Sequence, residues 1–416
     1  MPDTRTDLTR LRVALTVFFA LDGFLFAGWV VRIPAIKEQT NASATTLGLA
    51  LLGVSAGAVV TMTLTGRLCR RYGNHQVTVA CAILLCLSVT LPPLTHSALT
   101  LGAVLLIFGS AYGGINVAFN SAAVDLVRTL RRPIMPSFHA AFSLGGMTGA
   151  GLGALLAGAL SATQHLVGLA LFGLLVTLPT GRTLLRIPPP IPPDTATRTT
   201  ARPDQPGQPE RPGQPERPGP PGRPGRPGRP GRPRERTLAL VITFGLIALC
   251  TAYGEGALAD WSALHLEQDL HTTPGVAAAG YSCFALAMTV GRLTGTRLLE
   301  RLGQTRTLVA GGTTAALGML LGALAPALWV ALLGFAITGL GLANLFPVAI
   351  ERAGTLAGPD GVAIASTLGY GGMLLGPPAI GFMADWFSLP AALTSVAALA
   401  ATAAAIAFVT RGAAER

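Results

Sequence analysis

The chain has 416 residues, half of them hydrophobic, and only 12% are charged, where a soluble domain carries about a quarter. Of its 30 basic and 19 acidic residues, roughly 15 lie in residues 187–236, so the rest of the chain is poorer still in charge. An ordinary water-soluble globule is excluded. The 51 glycines and a mean hydropathy of +0.55 match helices that cross lipid and pack through small residues.

In a soluble domain, the net charge of +11 would suggest a nucleic-acid partner. Here the basic residues sit in short segments between apolar runs and in one Pro-rich stretch. That is the pattern of loops facing an anionic cytoplasmic leaflet, and no nucleic-acid partner is expected. The cysteines Cys69, Cys81, Cys86, Cys250 and Cys283 fall inside or beside apolar runs, without a CxxC pair or a His at metal spacing. They read as small core residues, and neither a metal nor a cofactor is expected.

In chain order, twelve apolar segments are long enough to span a bilayer, each needing about 20 residues. The first six cover 11–32, 47–66, 77–95, 99–122, 136–160 and 164–184. The second six cover 237–259, 275–298, 307–325, 328–350, 361–383 and 388–410. The first span follows Arg5, Arg10 and Arg12 as a signal peptide would, but its apolar run is too long and no A-x-A site follows. Between the two sets, Gln205 to Arg236 repeats Pro-Gly-Gln-Pro-Glu-Arg and then Gly-Arg-Pro units. Dense proline fixes φ and removes donors, so this stretch reads as an extended, solvated tether. Anionic lipid headgroups are an alternative partner for its arginines. The domains are therefore 1–186, a cytoplasmic linker over 187–236, and 237–416.

Arginine is dense after span 2 (Arg67, Arg70, Arg71), span 4 (Arg128, Arg131, Arg132) and span 8 (Arg297, Arg301, Arg306). The odd-numbered connections are nearly bare, with Arg32 and Lys37 after span 1 as the exception. The positive-inside rule then puts both termini and the linker in the cytoplasm.

The halves echo each other. Gly66-Arg67-Leu68-Cys69-Arg70-Arg71-Tyr72-Gly73 after span 2 parallels Arg297-Leu298-Leu299-Glu300-Arg301-Leu302-Gly303 after span 8. Ser143-Leu144-Gly145-Gly146-Met147 parallels Gly369-Tyr370-Gly371-Gly372-Met373, and Asn116 of span 4 parallels Asn344 of span 10. Such a duplication is expected of two bundles enclosing a midplane site.

Further motifs are Gly28-Trp29, Arg32-Ile33-Pro34-Ala35-Ile36, Met135-Pro136-Ser137-Phe138-His139, Glu255-Gly256, Asp260-Trp261, Gly291-Arg292 and Gly376-Pro377-Pro378. With these, the chain resembles the major facilitator superfamily over nearly its whole length outside the tether. More closely, it is similar to bacterial inner-membrane permeases of the fucose-permease-like group. The resemblance implies an all-α membrane protein with twelve transmembrane helices in two pseudo-symmetric six-helix bundles, in the bacterial cytoplasmic membrane. It also implies a cytoplasmic gating motif formed by Gly66, Arg67, Arg71, Gly73, Glu300, Arg301 and Gly303. The family signature usually carries an acid four residues after its first Gly, where this chain has Arg70; the second copy keeps Glu300 but begins with Thr296. An acid–Arg lock between bundles is thus implied for the second copy rather than the first. Relatives often carry a carboxylate where span 4 has Asn116, whereas here Asp22 stands in span 1.

Asp22 lies near the middle of span 1, where a charge costs roughly 2.5–3.5 kcal/mol on insertion scales, so it should face a cavity or a partner. Phe18, Phe26 and Trp29 share its helical face. A carboxylate among aromatic rings is the composition of a pocket that stacks a ring and hydrogen-bonds its edge; the alternative is a packed aromatic stripe. Tyr112, Asn116 and Asn120 form a polar stripe at four-residue steps, lining a path or bonding helices together. His139 reads either as a proton relay or as an interfacial bridge. Glu255, Arg292, Asn344 and Tyr370 complete the candidate lining, and Gly376-Pro377-Pro378 marks a kinked gating helix.

The residues read as a secondary transporter that moves a small sugar-like or drug-like solute by alternating access, coupled to protons and acting as a monomer in membrane lipid. A multidrug-type efflux antiporter and a non-transporting sensor are the alternatives. No HExxH, GxSxG or GxxxxGK[ST] motif occurs, so neither an enzyme nor direct ATP drive is expected.

Overall fold

The computed structural model describes residues 4–42, 44–156, 159–190, 232–272, 276 and 279–411. The expected tether therefore lies, from 191 to 231, outside the described residues. These residues form helices, with no strand among them. The first half holds α1 (Thr4–Val30), α2 (Ile33–Gln39), α3 (Ala44–Tyr72), α4 (Asn74–Ser88), α5 (Ala98–Leu130), α6 (Met135–Leu156) and α7 (Ala162–Arg186). The second half holds α8 (Arg232–Gln268), α9 (Ala279–Leu302), α10 (Gln304–Ala323), α11 (Leu328–Leu342), α12 (Leu345–Trp386) and α13 (Leu389–Val409).

Each expected span falls on a helix. Eight helical stretches among the described residues are long and apolar enough to cross a membrane, and one of them, Leu328–Trp386, holds more than one span. Spans 5, 8 and 9 are α6, α9 and α10, of 22, 24 and 20 residues. Large apolar side chains cover the outer surface, among them Leu49, Val60, Leu155, Leu175, Phe382 and Trp386. In a chain whose backbone is satisfied within helices, that surface meets acyl chains.

Two boundaries differ from the expectation. Span 10 is broken: α11 stops at Leu342, Asn344 precedes α12, and α12 runs on through non-helical angles at Ala357 and Gly358, the latter at φ 60°. That turn joins two helices and falls in the connection expected between 350 and 361, at a glycine that tolerates positive φ, whereas the backbone stays helical at Gly376-Pro377-Pro378. Apolar length reports where lipid lies, not where the backbone turns. The short α2 was also unforeseen; Pro34 in its first turn is pre-set for a helix start.

The duplicated glycine motifs prove to be packing surfaces. A Cβ on Gly145 would stand 1.9 Å from the Ala20 carbonyl oxygen, so α6 lies backbone-to-backbone on α1. A Cβ on Gly372 would stand 2.2 Å from the Leu249 carbonyl oxygen, giving α12 on α8 the same intimacy. Small residues permit this approach where helices lack a hydrophobic driving force to associate. Gly73 and Gly303 precede α4 and α10 with φ of 92° and 78°, a conformation that favours glycine.

Candidate functional site

The two bundles meet along α3, α5, α6, α9 and α12. At the end carrying the α3–α4 and α9–α10 turns, rich in arginine, they are tied by ion pairs. Arg132 Nε and Nη2 both donate to Glu300 Oε1, at 2.9 and 2.7 Å. Arg70 pairs with Asp360. Glu300 thus pairs with an arginine of the other bundle, and the first copy pairs across the junction with its charge reversed: Arg70 stands in place of the acid and Asp360 supplies it. A Cβ on Gly66 would stand 2.7 Å from Asp360 Oδ1, so the motif's first glycine makes room for this partner. Arg71 lies over the Tyr72 ring at 5.2 Å. Neither Arg67, Arg71 nor Arg301 enters an ion pair among the described residues.

Each bundle has a matching internal tie behind its turn. Asn74 Nδ2 donates to Asp125 Oδ2 and Gln304 Nε2 donates to Glu351 Oε1, both at 2.7 Å. The amide follows the positive-φ glycine, and the acid comes from the span-4 or span-10 helix. At the opposite end Arg32, the exception to the arginine pattern, is buried. Its Nε donates to His165 Nδ1 at 2.9 Å and its Nη2 to the Leu156 carbonyl at 3.2 Å, so it is a structural residue and not a loop charge.

Towards the middle of the helices the candidate residues converge. Residues 111–124 of α5 are buried on every face, which keeps Tyr112, Asn116 and Asn120 away from lipid. Asn120 Nδ2 donates to the Asn116 carbonyl at 2.8 Å, while Asn120 Oδ1 has no partner. The Phe26 ring stacks on Tyr112 at 4.7 Å, and Tyr112 meets Tyr370 of the other bundle edge-on at 5.9 Å. Trp29, one turn along, lies 6.1 Å from Phe108. Asp22 is fully buried and neither carboxylate oxygen has a hydrogen-bond partner, yet it lies within Coulombic reach of Tyr112 and Tyr370.

Arg292 Nη2 donates to Glu255 Oε1 at 3.0 Å, Nη1 to Ser143 Oγ at 2.8 Å and Nε to the Ala343 carbonyl at 3.3 Å. One guanidinium thus joins α8, α9 and the end of α11 to α6 of the other bundle. His139 stands between Phe19 and Phe346, at 5.4 and 5.7 Å, its Nε2 without a partner. Asn344 Nδ2 donates to the Gly291 carbonyl at 3.2 Å, so it ties α9 to the start of α12 and leaves Oδ1 unbonded.

Four contributors escaped sequence reasoning. Phe108 carried a signal, standing four residues before Tyr112 on the same stripe. Ser143 was visible only as part of a repeat. Asp360 and Arg132 sit in connections, where charge counting sees arginine density and not pairing. Asp260, by contrast, is exposed.

Two helical bundles around a buried polar cluster at their junction define a multi-pass membrane transporter. The major facilitator superfamily model matches residues 13–253 and 244–416, and the chain belongs to this family. It is 32% identical over 398 residues to an uncharacterised MFS-type transporter of Yersinia pestis, covering 95% of this chain and 94% of that protein. Its fold is similar to the E. coli fucose:proton symporter at TM-score 0.72 and 15% identity, covering 95% and 97% of the two chains. It is also similar to a proton:xylose symporter at TM-score 0.74 and 13% identity, covering 97% and 96%.

Proposed function

We propose that this transporter carries a small ring-bearing solute across the bacterial cytoplasmic membrane by alternating access, coupled to protons, and that it acts as a monomer and not as an enzyme. The observation that carries this is the contact of Tyr112 with Tyr370 across the bundle junction, beside a fully buried Asp22 without a partner. A carboxylate is costly to keep in lipid, so a cation or proton must visit it. Rocking of one bundle against the other would part the two tyrosines and open the cluster to one side at a time.

The basic end is the cytoplasmic one on the positive-inside rule, with both termini and the 187–236 linker there, between units 1–186 and 237–416. On that reading the Arg70–Asp360 and Arg132–Glu300 pairs close the cytoplasmic side, and the site is offered outward. Asp22 and Glu255 are the candidate proton carriers. Fucose and xylose, named for the structural neighbours, supply a sugar-like starting point.

The test is uptake of labelled sugars and drug-like rings into proteoliposomes under an imposed pH gradient. Uptake that responds to the gradient in the wild type and not in Asp22→Asn supports the reading. Gradient-indifferent uptake with Asp22→Asn fully active overturns proton coupling, and binding without any flux overturns transport.

A further inference from the structure

We infer that the first bundle binds one anionic phospholipid of the cytoplasmic leaflet, seated between α1 and α7 with its phosphate at Arg10. The site is separate from the solute path and independent of the solute carried.

α1 and α7 pack on each other, and neither is among the helices that meet at the bundle junction. Where α1 begins and α7 ends, a cleft of about 320 Å³ opens between them, at the small end of the ~300–1,000 Å³ usual for ligand clefts. Ala14 and Pro179, two short side chains on its opposite walls, leave this room, with Val13 and Val17 completing the apolar part. Arg10, Thr180 and Thr183 form the polar part.

Polar and apolar parts are separated by depth, as in a lipid. Arg10 and Thr183 lie at the edges of the apolar runs 11–32 and 164–184, at headgroup level. Val17 stands about 10 Å further in at 1.5 Å per residue. Beyond the cleft, Leu175 and Phe172 continue the exposed apolar surface, and Phe172 meets Phe24 at 5.2 Å. Phe172 lies on the order of 16 Å from Thr183 along α7, about the depth of one leaflet's hydrocarbon.

The charges select an anion. Arg10 and Arg12 of α1 and Arg182 and Arg186 of α7 are all exposed, and residues 175–190 hold no acid. Asp7 is the one acid among the described residues at the start of α1, and it stands 3.9 Å from Arg10. So exposed a pair is worth at most about 1 kcal/mol, whereas a guanidinium can meet phosphate with two parallel hydrogen bonds. Thr183 Oγ1 already donates to the Pro179 carbonyl at 2.9 Å, but Thr180 has no hydrogen-bond partner among the described residues, so its hydroxyl can donate to a phosphate or ester oxygen. A zwitterionic lipid would bring its own cation up to these arginines; an anionic one brings none. Basic clefts between helices at the cytoplasmic side take anionic headgroups on the same grounds.

Native mass spectrometry of the purified full-length protein tests this, with phosphatidylglycerol and phosphatidylcholine of identical oleoyl chains as probes and glycerol 3-phosphate as a headgroup without chains. Phosphatidylglycerol should bind about five-fold more tightly than phosphatidylcholine, as one added arginine contact implies. Arg10→Gln should abolish that preference. Arg12→Gln, which removes the same charge from another face of the helix, should keep it, and Thr180→Phe, which fills the cleft, should weaken both lipids. Equal binding of the two lipids by the wild type, or an Arg12→Gln loss as large as that of Arg10→Gln, would overturn the site in favour of diffuse attraction to the basic surface. Displacement of the lipid by glycerol 3-phosphate would make it a soluble-phosphate site, and a dimer that Thr180→Phe dissociates would make it a protein contact; either also overturns it. Arg10 is exposed and the lipid comparison uses the wild type alone, so the outcome does not hang on a variant's folding.

Discussion

Arg70 and Glu300 occupy the same place in the two copies of the duplicated turn, carry opposite charge, and each finds its opposite across the bundle junction. Arg70 meets Asp360 of α12, and Glu300 meets Arg132, which follows α5. Asp360 and Arg132 are themselves counterparts, lying in the connections after spans 10 and 4. The pseudo-symmetry is thus kept in geometry and inverted in charge.

This inversion makes the first prediction. Each pair is about half exposed, so each is worth only about 1 kcal/mol, a several-fold change in the closed-to-open ratio. Arg70→Asp should shift bundles towards opening at the basic end, and Arg70→Asp with Asp360→Arg should return them. Alkylation rates of a cysteine placed just inside that end would report the shift. If the double variant labels as fast as the single one, the pair does not hold the junction.

Asp22→Asn removes a buried carboxylate that nothing satisfies. The folded state should gain stability, by about 1–3 kcal/mol. Apparent Tm in detergent should rise while pH-gradient-driven uptake is lost. A fall in Tm would show that Asp22 has a stabilising partner.

Glu255→Gln leaves the Arg292 cation buried without its counter-ion. Breaking a buried pair costs about 3–5 kcal/mol; Glu255 keeps a fifth of its side chain exposed, which puts the expected loss at about 2–4 kcal/mol. The double variant Glu255→Gln with Arg292→Gln should recover much of that loss. A double-mutant cycle by thermal unfolding gives the coupling, and additive effects would contradict the pair's role.

Gly145→Val and Gly372→Val place side chains against Ala20 and Leu249 backbone oxygens. Overpacking of this kind costs about 1–3 kcal/mol or more. Both should lower the yield of monodisperse protein, whereas Gly168→Val, at a site with open space around it, should not. Fluorescence-detected size exclusion distinguishes the three.

Much of this was legible beforehand. Apolar runs located the spans because lipid demands about 20 apolar residues whatever their neighbours. The repeats marked Gly145 and Gly372, and four-residue spacing marked the Tyr112, Asn116 and Asn120 stripe, since both signals are local. Asp22 stood out because a lone carboxylate in an apolar run is costly wherever it points. Arg32 misled the arginine count because its burial by His165 and Leu156 involves residues far along the chain.

By itself, then, the amino-acid order determined a lipid-solvated, duplicated helical chain and singled out most of the polar residues that meet at the bundle junction. Which charges meet was decided only in three dimensions. Arg70 with Asp360, Arg132 with Glu300, and Arg292 with both Glu255 and Ser143 join residues distant in sequence, and helical periodicity carries no information about such partners. The break at Asn344 inside the tenth apolar run likewise depends on packing against a neighbour, Asn344 Nδ2 donating to the Gly291 carbonyl of α9, which no run of apolar residues encodes.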